Sequence, residues 1–169
     1  MSGRRPDFQK LINARAFACQ RHGAQQYGSL PYAVHLKMVA QNVMAYGQEI
    51  YSDTDLVSLA SAAWLHDIVE DTPTSIDELE FFFGKRIATL VHLVSDPNGR
   101  SRAEKKSGVY KKLQKAGDGD AVFLKLCDRI ANIHFSLFTK NLTMLVQYRT
   151  EQRLFRKQLG HLGPLALWE

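Results

Sequence analysis

The stretch AAWLHDIVEDT, residues 62–72, places His66, Asp67, Glu70 and Asp71 directly after the apolar run Ala62-Ala63-Trp64-Leu65. Burying that many titratable groups beside a core helix is costly unless something neutralises them. A metal ion is the simplest neutraliser. Adjacent side chains on a helix diverge by roughly 100°, yet at a helix end His66 and Asp67 can both converge on an ion placed off the terminus. Glu70 stands four residues after His66 and three after Asp67, on the same face. It is therefore near such an ion without having to ligate it.

Two more ligands are candidates. His35 lies among Val34, Leu36, Met38 and Val39, and Asp128 lies inside VFLKLCDRIANI. Each alone has a plainer reading, as a hydrogen-bonded core histidine and as an aspartate paired with Arg129. Joined to His66 and Asp67, they complete a set of two imidazoles and two carboxylates. Nitrogen and oxygen donors without thiolate favour Mn²⁺, Fe²⁺ or Zn²⁺ over a cysteine-based structural zinc. Four protein ligands on an ion that prefers six leave positions for water and substrate, which suits a catalytic site.

The elements that must position these residues read as helices. Phe8, Leu11, Ile12, Arg15, Ala16 and Cys19 follow helical spacing behind Asp7, a candidate N-cap. Gly23 to Pro31 reads as a loop, and a second helix runs from about Tyr32 to Tyr46. The third is expected from Thr54 or Asp55 to about Val69, where Thr72-Pro73 stops it. Ser75 with Glu78 caps a short helix over IDELEFFF, and KRIATLVHLVS forms another that ends before Asp96-Pro97-Asn98-Gly99. Ser101 with Glu104 opens a basic helix reaching about Lys115. After a turn at GDGD, helices cover Ala121 to about Phe138 and Leu142 to Leu159. No segment sustains strand alternation. The expectation is an all-α single domain over residues 1–169, with its core at about 7–159.

The 169 residues are 45% hydrophobic, enough for a full-sized core. No apolar run is long enough for a membrane span, and MSGRRPDFQK lacks the apolar core of a secretory signal. Cys19 and Cys127 read as reduced thiols, which predicts a cytoplasmic protein. The net charge of +5 and pI of about 9.3 suit an anionic partner. Arg100, Arg102, Lys105, Lys106, Lys111, Lys112 and Lys115 concentrate that charge, either as a solvated face or as a phosphate-binding one. No aromatic-interleaved patch points to nucleic acid. His22, His92, His134 and His161 have no partners at ligand spacing and read as structural or surface residues.

PYAVH, AAWLHDIVEDT, ELEFFFGKRIATLVHLVSD and LKLCDRIANI occur in the order and spacing of HD-superfamily metal-dependent phosphohydrolases. From about Leu11 to Leu159 the chain resembles the hydrolase domain of RelA/SpoT-type proteins and the free-standing small alarmone hydrolases of the stringent response. The resemblance implies that His35, His66, Asp67 and Asp128 hold one Mn²⁺. It implies that Glu70 and Asp71 are the catalytic acidic pair, that Asn132 contacts the substrate's ribose or phosphate, and that Tyr32 lines the pocket. It further suggests that Lys105 or Lys106 reaches the phosphates, and Tyr148 and Glu151 are candidates to close the pocket. The implied activity is removal of the 3′-pyrophosphate from guanosine tetra- and pentaphosphate. The alternatives are another HD nucleotidase or phosphatase, and a non-catalytic nucleotide-binding domain.

The sequence departs from that family in one informative place. The Arg-Lys pair usual before the Pro-Tyr is replaced by Gln26 and Tyr27, and the usual DRLHN reads DRIAN, with Ala131 for histidine. Metal ligands are untouched by these changes. Tyr27 can stack on any purine face, and Gln26 offers both a donor and an acceptor to an adenine edge. Adenosine 3′-pyrophosphate compounds are therefore expected as substrates beside the guanosine ones.

Overall fold

The structure is a computed structural model that describes residues 7–97, 101–164 and 168. Asn98, Gly99 and Arg100, from the expected turn and the basic cluster, lie outside the described residues. Helices dominate: α1 (Phe8–His22), α2 (Ala33–Gly47), α3 (Asp53–Leu65), α4 (Ile68–Asp71), α5 (Ile76–Phe83), α6 (Lys85–Val94), α7 (Arg102–Ala116), α8 (Gly119–Phe138) and α9 (Leu142–Leu159). The fold is all-α.

Two helices form its axis. In α3 every residue from Leu59 to Leu65 is buried, and in α8 every residue from Ala121 to Arg129 is buried. A helix enclosed on all sides belongs to the core. Accordingly α3 packs on α1, α2, α6 and α8, while α8 packs on α2, α6 and α9 as well. Leu36, Val39, Leu59, Leu65, Leu90 and Leu124 fill the space between them. His66 and Asp128 are buried because these two helices carry them.

The caps follow the chemistry of the helix ends. Asp7, Ser75 and Asn141 accept from orphan backbone N–H groups, and Ser101 forms a complete capping box with Glu104. At Ser75 the box is only half made, because the Glu78 carboxylate pairs with Arg21 instead.

Two expectations are corrected. The loop at 23–31 contains a short antiparallel ribbon, β1 (Gln26–Tyr27) and β2 (Leu30–Pro31), with Tyr27 opposite Leu30. Strands of two residues carry no alternation that a sequence pattern can reveal. Gly28 turns the ribbon with φ of 63°, and a Cβ there would sit 3.0 Å from Phe135 Cζ, so the turn lies directly on α8. The second correction concerns the third helix, which stops at Leu65 instead of running to Val69. Asp67 relaxes to φ −98°, ψ −3°, and α4 restarts the helix at Ile68. That bridge-region backbone is common among active-site residues.

Candidate metal centre and hydrolytic site

The break between α3 and α4 brings the neighbouring His66 and Asp67 together. His66 Nε2 lies 2.9 Å from Asp67 Oδ2, although neighbouring side chains on a continuous helix diverge. From α2, His35 Nε2 approaches His66 Nε2 to 3.2 Å and Asp67 Oδ2 to 3.4 Å. From α8, Asp128 Oδ1 lies 3.4 Å from His35 Nε2 and 3.7 Å from His66 Nε2. His35, His66 and Asp128 offer atoms all within 4.8 Å of one another, and Asp67 contacts both histidines.

The donor chemistry fits a metal ion. His66 Nδ1 lies 2.8 Å from Ala63 O, which places a proton on Nδ1, so that Nε2 is the nitrogen a cation would meet once it displaces any proton there. Bonds of about 2.1 Å put adjacent ligand atoms about 3.0 Å apart around a six-coordinate ion and about 3.4 Å around a four-coordinate one. The separations of 3.2 to 3.4 Å fall in that range, and those of 2.9 and 3.7 Å lie just outside it. The electrostatics also call for positive charge. Burial alone would lower the His66 pKa, but Asp67 and Asp128 hold it well above the ordinary imidazole value. Burial likewise favours neutral Asp67, yet the histidines keep its carboxyl well below the carboxylate range.

Neighbours then fix the cluster's side chains. Tyr32 donates to Asp67 Oδ2 at 2.5 Å, and burial followed by the Asp67 charge raises its phenol far above the usual value, so it stays a donor. Asn132 Nδ2 donates to Asp128 Oδ1 at 2.6 Å and accepts at Oδ1 from the Tyr27 hydroxyl at 2.7 Å. The Tyr27 ring packs against Phe135 and His35, with centroids 4.0 and 4.7 Å away.

A cleft opens above the cluster, lined by Tyr32, His35, Asp67, Glu70, Asp128, Asn132 and Tyr148 together with Arg102, Lys106, Lys125 and Arg129. Glu70 Oε1 accepts from Asp96 N at 2.7 Å, which anchors it at the cleft edge. Burial, and then the charge of Asp67, raises its pKa. Asp71 is exposed and accepts from Gln25 Nε2 at 2.9 Å. Lys106 lines the cleft and pairs with Asp96 at 3.0 Å, whereas Lys105 is exposed and lies outside it. Gln26 is exposed too, and lines a separate shallow depression with Ser29 and Pro31. Strand alternation turns it away from Tyr27.

Lys125 and Asp96 are among the residues of this cleft that escaped the sequence reading, as are Tyr110 and Phe155. Lys125 is buried, lies 3.2 Å from Asp128 Oδ2 and 3.9 Å from Asp96 Oδ1, and donates to Val94 O. Burial would lower its pKa, but Asp128 and Asp96 raise it above the ordinary lysine value. Its position three residues before Asp128 was a usable signal. Asp96 carried none, since its role depends on where α6 ends. The plainer reading, Asp128 paired with Arg129, is not what the structure shows. Arg129 turns instead to Tyr148 O, Gln152 and Glu151.

Arg102 and Arg129 both reach Glu151, at 2.7 and 3.4 Å, which ties α7 and α8 to α9 at the cleft rim. Burial pushes the Glu151 carboxyl up, but hydrogen bonding to Arg102 outweighs this and draws it down to about 2 from an ordinary 4.5. A depressed carboxylate contributes stability above its unfolded pKa and loses it as pH falls through the folded one. Glu151→Gln is therefore expected to melt below the parent at pH 7, with the gap closing between about pH 4.5 and about pH 2. Thermal melts across that window check this. A gap unchanged at pH 2 would assign the effect to packing.

An all-helical fold that gathers two histidines and an aspartate round one point beneath a cationic cleft defines a class of metal-binding helical domains. Residues 14–154 match the family described as HD domain, and the chain belongs to that family. It is similar to the mouse guanosine-3′,5′-bis(diphosphate) 3′-pyrophosphohydrolase MESH1, 34% identical over 127 residues, which are 73% of this chain and 68% of that protein. The Aquifex aeolicus guanosine-3′,5′-bis(diphosphate) 3′-pyrophosphohydrolase is 32% identical over 128 residues, 74% of this chain but 17% of that protein. A solved structure, described as a metazoan ortholog of SpoT that hydrolyzes ppGpp, superposes with TM-score 0.64 at 26% identity, covering 78% of this chain and 72% of that one. Among the described residues no helix is long and apolar enough to cross a membrane.

Proposed function

We propose that this chain is a metal-dependent hydrolase that removes pyrophosphate from the 3′ position of purine nucleoside 3′,5′-bis(diphosphates), as a single HD-type unit with its core at about 7–159. One observation carries the reading: a His/Asp cluster suited to a divalent ion, Glu70 and four cations share a single cleft. The names of the similar proteins, guanosine-3′,5′-bis(diphosphate) 3′-pyrophosphohydrolases, supply the substrate class. Two free cysteines suit a reducing, cytoplasmic setting.

In this reading His35, His66, Asp67 and Asp128 hold one Mn²⁺. When bound, the ion supplies Lewis acidity, lowering the pKa of water and offsetting charge at the attacked phosphorus. Water attacks the phosphorus joined to the 3′ oxygen, that P–O bond breaks, and the 3′ oxygen takes up a proton. Glu70, held at the cleft edge by Asp96 N, accepts the proton from water, and Asp71 shares the proton traffic. Lys106, Arg102 and Arg129 line the wall that faces the phosphates, with Lys105 as an outlying cation. Asn132, fixed between Tyr27 and Asp128, presents its amide to the ribose or phosphate, while Tyr32 and Tyr148 shape the walls.

The test is incubation of Mn²⁺-loaded protein with a nucleotide panel and identification of the products. Pyrophosphate is expected. Orthophosphate would favour the related nucleotidase or phosphatase, and no product at full metal occupancy would favour a non-catalytic binding domain. Base selectivity is expected to be relaxed, because the family's cations are missing at positions 26 and 27, Gln26 faces away from the cleft, and an aromatic contact brings no preference for guanine. Matched adenosine and guanosine 3′-pyrophosphates should show adenosine accepted at least as well in kcat/KM. A guanosine preference above about tenfold exceeds what such a stacking contact supports and would end the idea.

A further inference from the structure

His22 is 6% exposed and sits behind the metal cluster rather than in it. Its ring stacks on Tyr32 with centroids 4.7 Å apart at 19°. Its Nδ1 lies 2.8 Å from Gln25 Oε1, and Gln25 Nε2 donates to Asp71 Oδ2 at 2.9 Å. Chemistry sets the direction of this relay. A carboxylate only accepts, so the Gln25 amide nitrogen faces Asp71. The amide oxygen then faces His22, which requires a proton on Nδ1. That tautomer leaves Nε2 a buried lone pair without a hydrogen-bond partner among the described residues. An orphaned ring nitrogen is unfavourable, and the packing tolerates it while the other nitrogen holds Gln25.

The main chain pins Gln25 as well. Its N–H donates to His22 O and its carbonyl accepts from Tyr32 N, both at 2.9 Å. Gln25 and Tyr32 thus close the base of the β1–β2 ribbon, which fixes the Gln25 backbone, while its bonds to His22 and Asp71 hold the side chain. Asp71, by contrast, is an exposed carboxylate at the end of the four-residue α4. Left to water, such a side chain samples several rotamers.

We propose that Gln25, locked by His22, is a positioning residue that aims the Asp71 carboxylate for proton transfer. The inference rests on the reading of Asp71 as one of the two catalytic acids. Partners that orient a functional group from behind are commonly worth about 10- to 100-fold in activity. His22 serves both sides of the site, since the Tyr32 ring on which it stacks donates to Asp67.

Two variants at the half-buried Gln25 test this with little risk to the fold. Gln25→Glu keeps the shape and the acceptor for His22 but sets a like charge beside Asp71; Gln25→Leu removes both bonds. Each is expected to lower kcat by about 10- to 100-fold with KM within about twofold, at unchanged metal content. A double-mutant cycle supplies the readout that a merely structural role would not move. If Gln25 acts through Asp71, adding Gln25→Leu to Asp71→Asn costs no further turnover. Losses that multiply in the double variant overturn the proposal, as does full kcat in both Gln25 variants while Asp71→Asn is impaired. Full turnover by Asp71→Asn is a different failure: the assignment of Asp71 itself falls, and the relay with it.

Discussion

His66→Ala is expected to strip the protein of bound metal and to lower turnover by at least about 10³-fold, equivalent to about 4 kcal/mol of transition-state stabilisation. The imidazole is 1% exposed, and Nδ1 is already committed to Ala63 O, so Nε2 has no other task than to face the cluster. Removing it leaves Asp67 and Asp128 facing each other across His35 with one fewer group to share a cation. Two measurements separate metal loss from misfolding. Elemental analysis should give a sub-stoichiometric ion in the variant. Melting in a Mn²⁺ titration should rise for the parent, by about 2.7 kcal/mol at a hundredfold excess over Kd, and stay flat for the variant. Stoichiometric metal with full turnover in His66→Ala would remove this centre from the mechanism.

The residues of the cluster were legible because their types clash with their surroundings. A histidine amid Val34, Leu36 and Val39, or an aspartate inside VFLKLCDRIANI, has no reason to be buried unless something pairs with it. The helices were legible from period and caps, and α9 begins and ends at the expected residues. Features that depend on tertiary direction were not. Nothing in LHDIVED announces that the helix stops at Leu65, since the stretch holds no Gly or Pro to mark the break that aims two side chains. The basic helix gave Lys105 and Lys106 equal standing, yet a rotation of roughly 100° between them decides that Lys106 enters the cleft and Lys105 meets solvent. The same rotation separates Asp128 from Arg129, so the pairing that adjacency suggests is replaced by Lys125 on one side and Glu151 on the other. Gln26 and Tyr27, treated together as a replacement for two cations, part company because successive residues of a strand face opposite ways.

Glu70→Gln separates holding the ion from using it. Glu70 lines the cleft three residues beyond Asp67, and its Oε1 is occupied by the amide of Asp96. Glutamine preserves that acceptor, so the anchor at the end of α6 should survive and the melting temperature should change little. Lys125 and Lys106 stay paired with Asp96 and Asp128 in the variant, because neither depends on Glu70 for a hydrogen bond. What glutamine lacks is the capacity to accept a proton. Turnover at saturating Mn²⁺ is therefore expected to fall by about 10²-fold or more, the usual weight of a general base, with metal content and KM close to the parent's. The contrast with His66→Ala is the point of the comparison, one variant losing ion and turnover together, the other turnover alone. Parent-level kcat in Glu70→Gln would make Glu70 a structural link between α4 and Asp96 and pass the base role to another group. Metal lost from Glu70→Gln would instead make the carboxylate a ligand, a role that its bond to Asp96 and its place at the cleft edge argue against.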